Sequence, residues 1–217
     1  MKSVLVIGIG RFGKHLSQKM ADIGNEVMIL DTREERIREL MPYVTSAQIG
    51  DGADEEVLRS LGVKNFDLCF VCIGSNFQNS LEVTSLLKDL GAKHVISKAG
   101  RDIHAKFLLR NGADEVVYPE RDTAEKLAVR YSANNLFDYF ELTKDVSIYE
   151  IPPLDNWIGR SIREVNVRVK YHVSILATKN GENVSPLPSA DHVFNANEHL
   201  MVLGTHNDIA KILRHIG

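Results

Sequence analysis

Long hydrophobic runs are absent from this sequence of 217 residues, and so is an excess of positive charge. No apolar segment approaches the roughly 18 residues that a membrane-spanning helix needs, and the chain opens on a strand-like segment rather than on a signal peptide. Its 26 lysines and arginines stand against 29 acidic residues, a net charge of −3, which argues against a general nucleic-acid surface. These absences predict a cytoplasmic protein without a nucleic-acid partner.

Cysteine is scarce as well, since the chain has two, Cys69 and Cys72, in one apolar segment. A C-x-x-C spacing can indicate a metal site or a redox site. In a strand, however, positions three apart point to opposite faces, so the two sulfur atoms would not meet. We therefore interpret both residues as buried thiols rather than as a shared metal site or a disulfide.

The most informative segment stands at the beginning of the chain. An apolar run at residues 4–7 is typical of a buried parallel strand. Three glycines in G-x-G-x-x-G spacing follow it: Gly8, Gly10 and Gly13. In this arrangement the first glycine permits a tight turn, the second lets the backbone approach a phosphate, and the third lets helix and strand pack closely. The helix that follows, residues 11–23, would direct its unpaired N–H groups at that phosphate.

A second apolar run, residues 27–30, ends in Asp31. At the end of the second strand of such a unit, a carboxylate accepts hydrogen bonds from both ribose hydroxyls of an adenosine. Strand, glycine turn, helix, strand and terminal aspartate in this order therefore predict an adenine-nucleotide site. Asp31 also argues against a 2′-phosphate, and hence against NADP, although Arg33 is near.

Strand-like and helical segments continue to alternate after Asp31. The helix that comes next is expected to end at Pro42. Further strands are predicted at residues 46–49, 67–73, 94–97 and 115–120. Together with the first two strands, this pattern predicts an α/β fold with a Rossmann-like, doubly wound, parallel six-stranded sheet in the order 3-2-1-4-5-6.

Polar, charged or small residues stand where these strands are predicted to end: Asp31, Asp51, Gly74, Lys98 and Glu120. Ligands bind at the carboxyl edge of doubly wound sheets, so this placement favours a ligand role for each residue. Asp51 has two interpretations, because it could contact an adenine edge or cap the helix that begins near Asp54.

The rest of the chain predicts a connecting helix and a second, smaller unit. Asp122 and Glu125 have the spacing of a capping box for a new helix. The aromatic segment at residues 136–140 predicts that this helix packs against a partner. We therefore predict three regions: a nucleotide-binding domain at 1–120, a crossover or dimerisation helix at 121–142, and a small α+β C-terminal lobe at 143–217. The small core of that lobe favours pairing with a second copy.

Short motifs along the chain resemble those of one family, the RCK proteins (regulators of K⁺ conductance). The motifs are I-G-I-G-R-F-G at residues 7–13, G-D-G at 50–52, C-I-G at 72–74, K-A at 98–99, G-A-D at 112–114 and Y-P-E at 118–120. The resemblance covers nearly the whole chain and is strongest to the KtrA and TrkA type, the cytosolic nucleotide-binding subunits of Ktr and Trk potassium transporters.

The resemblance implies a regulatory subunit rather than an enzyme. Homodimers would assemble into a homo-octameric ring, held peripherally on the inner face of the cell membrane by a K⁺ channel subunit of the KtrB or TrkH type. ATP or ADP, or in some members NAD or NADH, would set the shape of the ring and so control K⁺ flux.

By position, the resemblance also assigns residues to the nucleotide site. Beside the three glycines of the motif, these residues are Arg11, Phe12, Asp31, Thr32, Arg33, Asp51, Gly52, Ile73, Gly74, Ser75, Lys98, Ala99, Gly100, His104 and Glu120. Some members bind cyclic di-AMP in the C-terminal lobe, where the corresponding positions are Arg168, Ser174 and Pro186. The family's amide-bearing residue is replaced here by Ser174, which leaves cyclic di-AMP binding open.

Two charged residues of this set carry a prediction about mechanism. Arg11 lies inside the glycine turn, where a fixed cation suits a third phosphate or a nucleotide reaching from a neighbouring subunit. Glu120 would repel phosphates unless a cation lies between them. We therefore expect Glu120 and the nucleotide to share a metal ion, Mg²⁺ or Ca²⁺.

Two other classes of protein stay open. A small NAD-dependent dehydrogenase would use the same fold, but no substrate domain follows the sheet, and no Lys/Tyr or His/Asp pair is placed to transfer a proton. A free-standing NADH redox sensor would bind a partner outside the membrane. Turnover of NADH separates the first alternative from a regulatory subunit, and binding to a membrane fraction separates the second.

Overall fold

The computed structural model describes residues 1–74, 76–132 and 138–214. The chain forms two compact units, Met1–Arg121 and Asp122–Gly217. Among the described helices, none combines the length and the apolar character needed to cross a membrane.

The first unit contains a six-stranded sheet in which all paired strands are parallel. Its strands are β1 (Ser3–Ile7), β2 (Glu26–Asp31), β3 (Ser46–Ile49), β4 (Leu68–Val71), β5 (Val95–Lys98) and β6 (Glu115–Val117). Their spatial order is β3-β2-β1-β4-β5-β6, which confirms the predicted fold and strand order.

Helices connect these strands. They are α1 (Arg11–Asp22), α2 (Glu34–Leu40), α3 (Glu55–Leu61), α4 (Phe77–Asp89), α5 (Asp102–Arg110) and α6 (Pro119–Ser132), with 3₁₀ turns at Met41–Tyr43 and Val63–Asn65. The second helix was predicted to end at Pro42; α2 ends at Leu40, with Met41 as its C-cap, and Pro42 lies in the 3₁₀ turn that follows. Proline fits there because the first turn of a helix needs no N–H from it.

The central strand β1 is buried on both faces, as expected of a parallel sheet covered by helices. Leu5 and Ile7 belong to one hydrophobic cluster, which includes Leu87 of α4. Val4 and Val6 belong to the cluster on the other face, which includes residues of α2. Packing on both faces therefore fixes the position of β1, and with it the start of the glycine turn that follows.

The sixth strand was predicted at residues 115–120, and its predicted end is wrong. β6 ends at Val117, and Pro119 and Glu120 form the beginning of α6. The helix starts at Pro119 because proline is favoured in the first turn, where its missing N–H costs nothing. Asp122 therefore lies inside α6, and the capping box predicted to start a helix there is wrong.

The second unit contains a five-stranded sheet in the order β10-β9-β11-β8-β7, in which all paired strands are antiparallel. Its strands are β7 (Asp138–Glu141), β8 (Val146–Ile151), β9 (Ser174–Asn180), β10 (Asn183–Pro186) and β11 (His199–Thr205). Its helices are α7 (Ile162–Val165), α8 (Val167–Tyr171) and α9 (His206–Leu213), with a 3₁₀ turn at Asp155–Trp157.

Trp157 and Phe194 lie in the hydrophobic core of this unit, together with Ile209 and Ile212 of α9.

The predicted crossover helix is shorter than expected. Residues 119–132 are helical, but Asp138–Glu141 form strand β7, paired antiparallel with β8, so the helix predicted up to residue 142 is wrong there. Pairing with a neighbouring strand overrides local propensity in such short aromatic segments. Residues 133–137 lie outside the described part of the chain, and the dimerisation role stays a prediction.

Both cysteines are buried and free, which confirms their interpretation as buried thiols. Burial raises the pKa of the Cys69 thiol to about 12 and that of the Cys72 thiol to about 12. The thiolate is the reactive form, so both side chains are chemically inert at neutral pH.

The second sheet contains a buried charged group, Glu150. The Glu150 side chain is 8% exposed, and its two oxygens accept from Lys179 Nζ at 2.9 and 3.0 Å. His199 Nδ1 lies 2.7 Å from Glu150 Oε1. Burial raises the pKa of Glu150, but the hydrogen bonds and charges of His199 and Lys179 outweigh it, so the net shift is downward. A buried carboxylate is stable only with such partners.

Candidate functional site

A cleft of about 780 Å³ opens at the carboxyl edge of the parallel sheet in the first unit. Its walls come from the β1–α1 turn, from the ends of β2, β3, β4 and β5, and from the first turn of α6. Most of the predicted site residues line it: Gly8, Gly10, Arg11, Phe12, Asp31, Thr32, Arg33, Asp51, Gly52, Ile73, Gly74, Lys98 and Glu120. The structure therefore brings together residues that are up to 112 positions apart, from Gly8 to Glu120.

Four predicted residues do not line the cleft: Gly13, Ala99, Gly100 and His104. His104 is 2% exposed, its ring lies 4.9 Å from that of Phe77, and its Nδ1 accepts weakly from the amide of Gly100 at 3.4 Å. Burial and the charge of Arg101 lower the pKa of His104. In this structure His104 supports the loop after β5 and does not face the cleft. Ser75 lies outside the described residues.

The glycine turn has the shape that the motif predicts. Gly8 has φ +91°, and a Cβ at this position would lie 2.9 Å from Ile73 Cγ1 and 3.2 Å from the backbone of Cys72. A Cβ on Gly13 would lie 2.2 Å from the carbonyl oxygen of Gly8, whereas one on Gly10 would meet no atom within 4 Å. Gly8 and Gly13 are thus required by packing, while Gly10 leaves open space on the cleft side.

The amino end of α1 faces this open space without competing groups. Gly10 is its N-cap, no side chain caps it, and its first turn contains no acidic residue. The first amides of a helix have no partner inside the helix, and they attract anions, phosphate groups above all. This end of α1 can therefore receive a phosphate.

Asp31 is buried at the end of β2 and accepts three hydrogen bonds from the protein. Its Oδ2 accepts from the Ile9 amide at 2.6 Å and from Arg36 Nη1 at 3.1 Å. Its Oδ1 accepts from the Arg33 amide at 2.9 Å. These contacts fix the carboxylate beside the glycine turn, in the position where an adenosine ribose would lie.

Asp51 does not cap α3, so that interpretation is wrong. The cap is Asp54, whose side chain accepts from the Glu56 amide at 2.9 Å, while Asp51 Oδ1 accepts from the Ala53 amide at 2.9 Å. Asp54 directly precedes the helix, where a short acceptor reaches the free amides. Asp51 stays on the cleft wall, and its contact with an adenine edge stays a prediction.

Lys98 and Glu120 form an ion pair inside the cleft, with Nζ and Oε1 2.7 Å apart. The lysine side chain is 13% exposed and the glutamate 64%. The hydrogen bond from Lys98, then the hydrogen bond from the backbone amide of Glu120 and the charges of Lys98 and Arg11, lower the pKa of Glu120. Lys98 is thus the cation nearest to Glu120. No group of three metal-binding side chains exists among the described residues, so a metal at Glu120 would need ligands from phosphate and water.

Positive charge exceeds negative charge along the cleft wall. Its cations are Arg11, Arg33, Arg36 and Lys98, and its carboxylates are Asp31, Asp51 and Glu120. Arg36 and Lys98 are paired, but within the described part of the chain Arg11 and Arg33 form no ion pair. Two unpaired guanidinium groups next to a helix amino end suit a ligand with several phosphate charges.

The sequence analysis missed several lining residues: Ile7, Leu30, Arg36, Gly50, Cys72 and Asn79. Arg36 had a usable signal, because it lies in the first turn of α2, three positions after the N-cap Arg33. Ile7, Leu30, Gly50 and Cys72 directly precede predicted residues, whereas Asn79 comes from the first turn of α4.

The three residues considered for cyclic di-AMP lie in the second unit. Ser174 begins β9 and Pro186 ends β10, where it pairs with Ala177 of β9. Arg168 is exposed on α8. Their role stays a prediction.

Comparison with known proteins agrees with this geometry. The TrkA-N domain matches residues 4–119, and the TrkA-C domain matches residues 146–217. The Ktr system potassium uptake protein C of Bacillus subtilis (strain 168) is 38% identical over 215 residues, which are 99% of this chain and 97% of the relative. The Ktr system potassium uptake protein A of the same organism is 34% identical over 210 residues, which are 97% and 95% of the two chains.

Among solved structures, the GsuK channel bound to NAD has the same fold, with a TM-score of 0.70 at 19% identity. The match covers 100% of this chain and 39% of that chain. Both domain matches and both Bacillus relatives point to the same group of proteins. The chain therefore belongs to the RCK family, as a member of the TrkA and KtrA type in which a TrkA-N domain precedes a TrkA-C domain.

Proposed function

We propose that this protein is the regulatory subunit of a potassium uptake system and that an adenine nucleotide in the cleft controls it. The observation that carries the proposal is the cleft itself, where the open amino end of α1, the buried Asp31 and two unpaired arginines converge. Two relatives that span nearly the same length are named potassium uptake proteins, which supports the potassium part of the proposal.

In this proposal the nucleotide is ATP or ADP, with NAD or NADH as the alternative. The ribose would lie at Asp31, the phosphates at the amino end of α1, and the last phosphate near Arg11 and Lys98. A ligand shifts a protein between two shapes only by binding them with different affinity. ATP and ADP differ by one phosphate, so the residues that sense the difference are those at the far end of the phosphate chain.

We further propose that homodimers of the chain assemble into an octameric ring at the inner face of the membrane. The ring would bind a channel subunit of the KtrB or TrkH type and change its K⁺ flux. The family and the names of its relatives support such a membrane partner.

The potassium role is tested in cells that lack the gene for this chain. We expect their growth at low external K⁺ to fall and to recover when the chain is supplied. A Gly10→Ala variant, with its methyl group in the phosphate position, should not restore growth. Recovery of growth by both proteins would contradict control by the nucleotide, and normal growth without the chain would contradict the potassium role.

Glu120 tests the proposed link between nucleotide and divalent cation. In wild type, calorimetry should show tighter ATP binding with Mg²⁺ or Ca²⁺ than without. Without a divalent cation, Glu120→Gln should bind ATP about threefold to tenfold more tightly than wild type, because a negative charge is removed and Lys98 becomes available to phosphate. The variant should also depend less on the added cation.

The matched control is Glu26→Gln, since Glu26 is exposed at the amino end of β2, away from the cleft. Its nucleotide affinity should equal that of wild type. Equal ATP affinity of wild type with and without Mg²⁺ or Ca²⁺ would remove the cation from the proposal.

An enzyme of the dehydrogenase class is the competing proposal, because the fold is shared with NAD-binding proteins. Among the described lining residues, none is a histidine or a tyrosine that would pass on a proton. Oxidation or reduction of NAD(H) by the purified protein, followed by absorbance, would favour the enzyme over the regulatory subunit.

A further inference from the structure

Arg36 forms an ion pair with Asp31, the carboxylate that is expected to bind the adenosine ribose. A carboxylate has about four acceptor positions, two on each oxygen. In Asp31 three of them are taken: the Ile9 amide and Arg36 Nη1 share Oδ2, and the Arg33 amide binds Oδ1. One position, on Oδ1, is left for a ligand hydroxyl.

The three donors differ in how easily they can leave. Two are backbone amides, fixed by the glycine turn and by the beginning of α2. The third is the tip of a side chain that is 35% exposed, while the Asp31 side chain is 5% exposed. A second ribose hydroxyl can therefore reach Oδ2 only by replacing Arg36, and the loss of that ion pair offsets part of what the new hydrogen bond contributes.

We infer that Arg36 is a specificity-determining residue of the cleft: by holding Oδ2 of Asp31, it makes the site sensitive to one ribose hydroxyl rather than to two. The inference deepens the proposed adenine-nucleotide site and rests on it. The site would then bind a ribonucleotide and one of its two deoxy forms with similar affinity. That deoxy form is the one that lacks the hydroxyl facing Arg36.

The test is calorimetric titration of the full chain with ADP, 2′-deoxy-ADP and 3′-deoxy-ADP. For wild type, the affinity of one deoxy form should be within about twofold of that of ADP. The hydroxyl that this form lacks could bind Asp31 only by displacing Arg36, so its loss changes the affinity little. The other deoxy form should bind about tenfold more weakly, because it loses a hydrogen bond to a charged acceptor. Equal losses with both deoxy forms would overturn the inference.

Arg36→Met keeps the apolar stem of the side chain and removes every donor. In this variant, the deoxy form that bound as well as ADP to wild type should bind about fivefold more weakly than ADP. A general loss of structure would weaken all three ligands alike and would not produce this coupling between a ligand hydroxyl and Arg36. An unchanged pattern of the three ligands would overturn the inference. Should the variant prove unstable, the wild-type pattern alone decides.

Arg38→Met is the matched control. Arg38 lies on the same helix and forms an ion pair with Glu34, with Arg38 Nη2 and Glu34 Oε1 2.6 Å apart. This variant should keep the wild-type pattern. Absence of binding of ADP, ATP and NAD to wild type would overturn the proposed nucleotide site together with the inference, whereas ADP binding with two equal deoxy losses would overturn the inference alone.

Discussion

Replacing Gly13 by alanine is expected to abolish nucleotide binding and to lower the free energy of unfolding of the first unit by about 3 kcal/mol or more. The added Cβ would lie 2.2 Å from the carbonyl oxygen of Gly8. That oxygen belongs to the backbone, so no side chain can rotate away, and α1 must move off the sheet. Thermal melting and nucleotide titration measure the two effects.

Gly10→Ala separates binding from stability in the same motif. A Cβ on Gly10 meets no atom within 4 Å, and its backbone is extended at φ −78°, so the melting temperature should stay at the wild-type value. The methyl group enters the space where the backbone would approach a phosphate, and nucleotide affinity should fall at least about tenfold. Wild-type affinity in Gly10→Ala, or wild-type stability in Gly13→Ala, would contradict these assignments.

Glu150→Gln is expected to destabilise the second unit by about 2 kcal/mol at neutral pH. The substitution removes the charge that binds Lys179 and His199, and hydrogen bonds to a charged group are worth more than neutral ones. The two partners are about one-third exposed, so water compensates part of the loss. Trp157, the single tryptophan, lies in the core of this unit, and its fluorescence follows the unfolding in urea.

The same carboxylate predicts a dependence on pH. The pKa of Glu150 is lowered in the folded state, so its contribution to the free energy of unfolding is complete above its pKa in the unfolded chain, near 4.5. This contribution is lost as the pH falls through the pKa of the folded state. The stability difference between wild type and Glu150→Gln should therefore shrink as the pH falls below about 5. Glu182→Gln, an exposed position in the turn before β10, should leave both curves unchanged.

The strand order was predictable because each parallel strand is a short apolar run followed by a small or polar residue. This repeated pattern of strands and helices indicates the topology of the sheet. The glycine turn and Asp31 were also predictable, because they depend on contacts between elements that are neighbours in the sequence. Glu120 lines the cleft, but it comes from the first turn of α6 and not from a strand end.

Other features depend on contacts between residues that are distant in the sequence. Strand β7 exists because β8 pairs with it, and nothing in its four residues indicates that neighbour. His104 has a polar side chain one helical turn from the cleft loop, yet packing against Phe77 buries it. The contact of Arg36 with Asp31 depends on the rotamer of a long side chain, which no spacing rule determines.

The burial of the two thiols has a consequence for cells exposed to peroxide. Oxidation to sulfenic acid requires a thiolate that solvent can reach, and Cys72 stands at the cleft wall with 7% of its surface accessible. At a pKa of about 12, it stays protonated under oxidative stress. The wall of the cleft would thus keep its thiol unmodified while exposed cysteines of other proteins are oxidised.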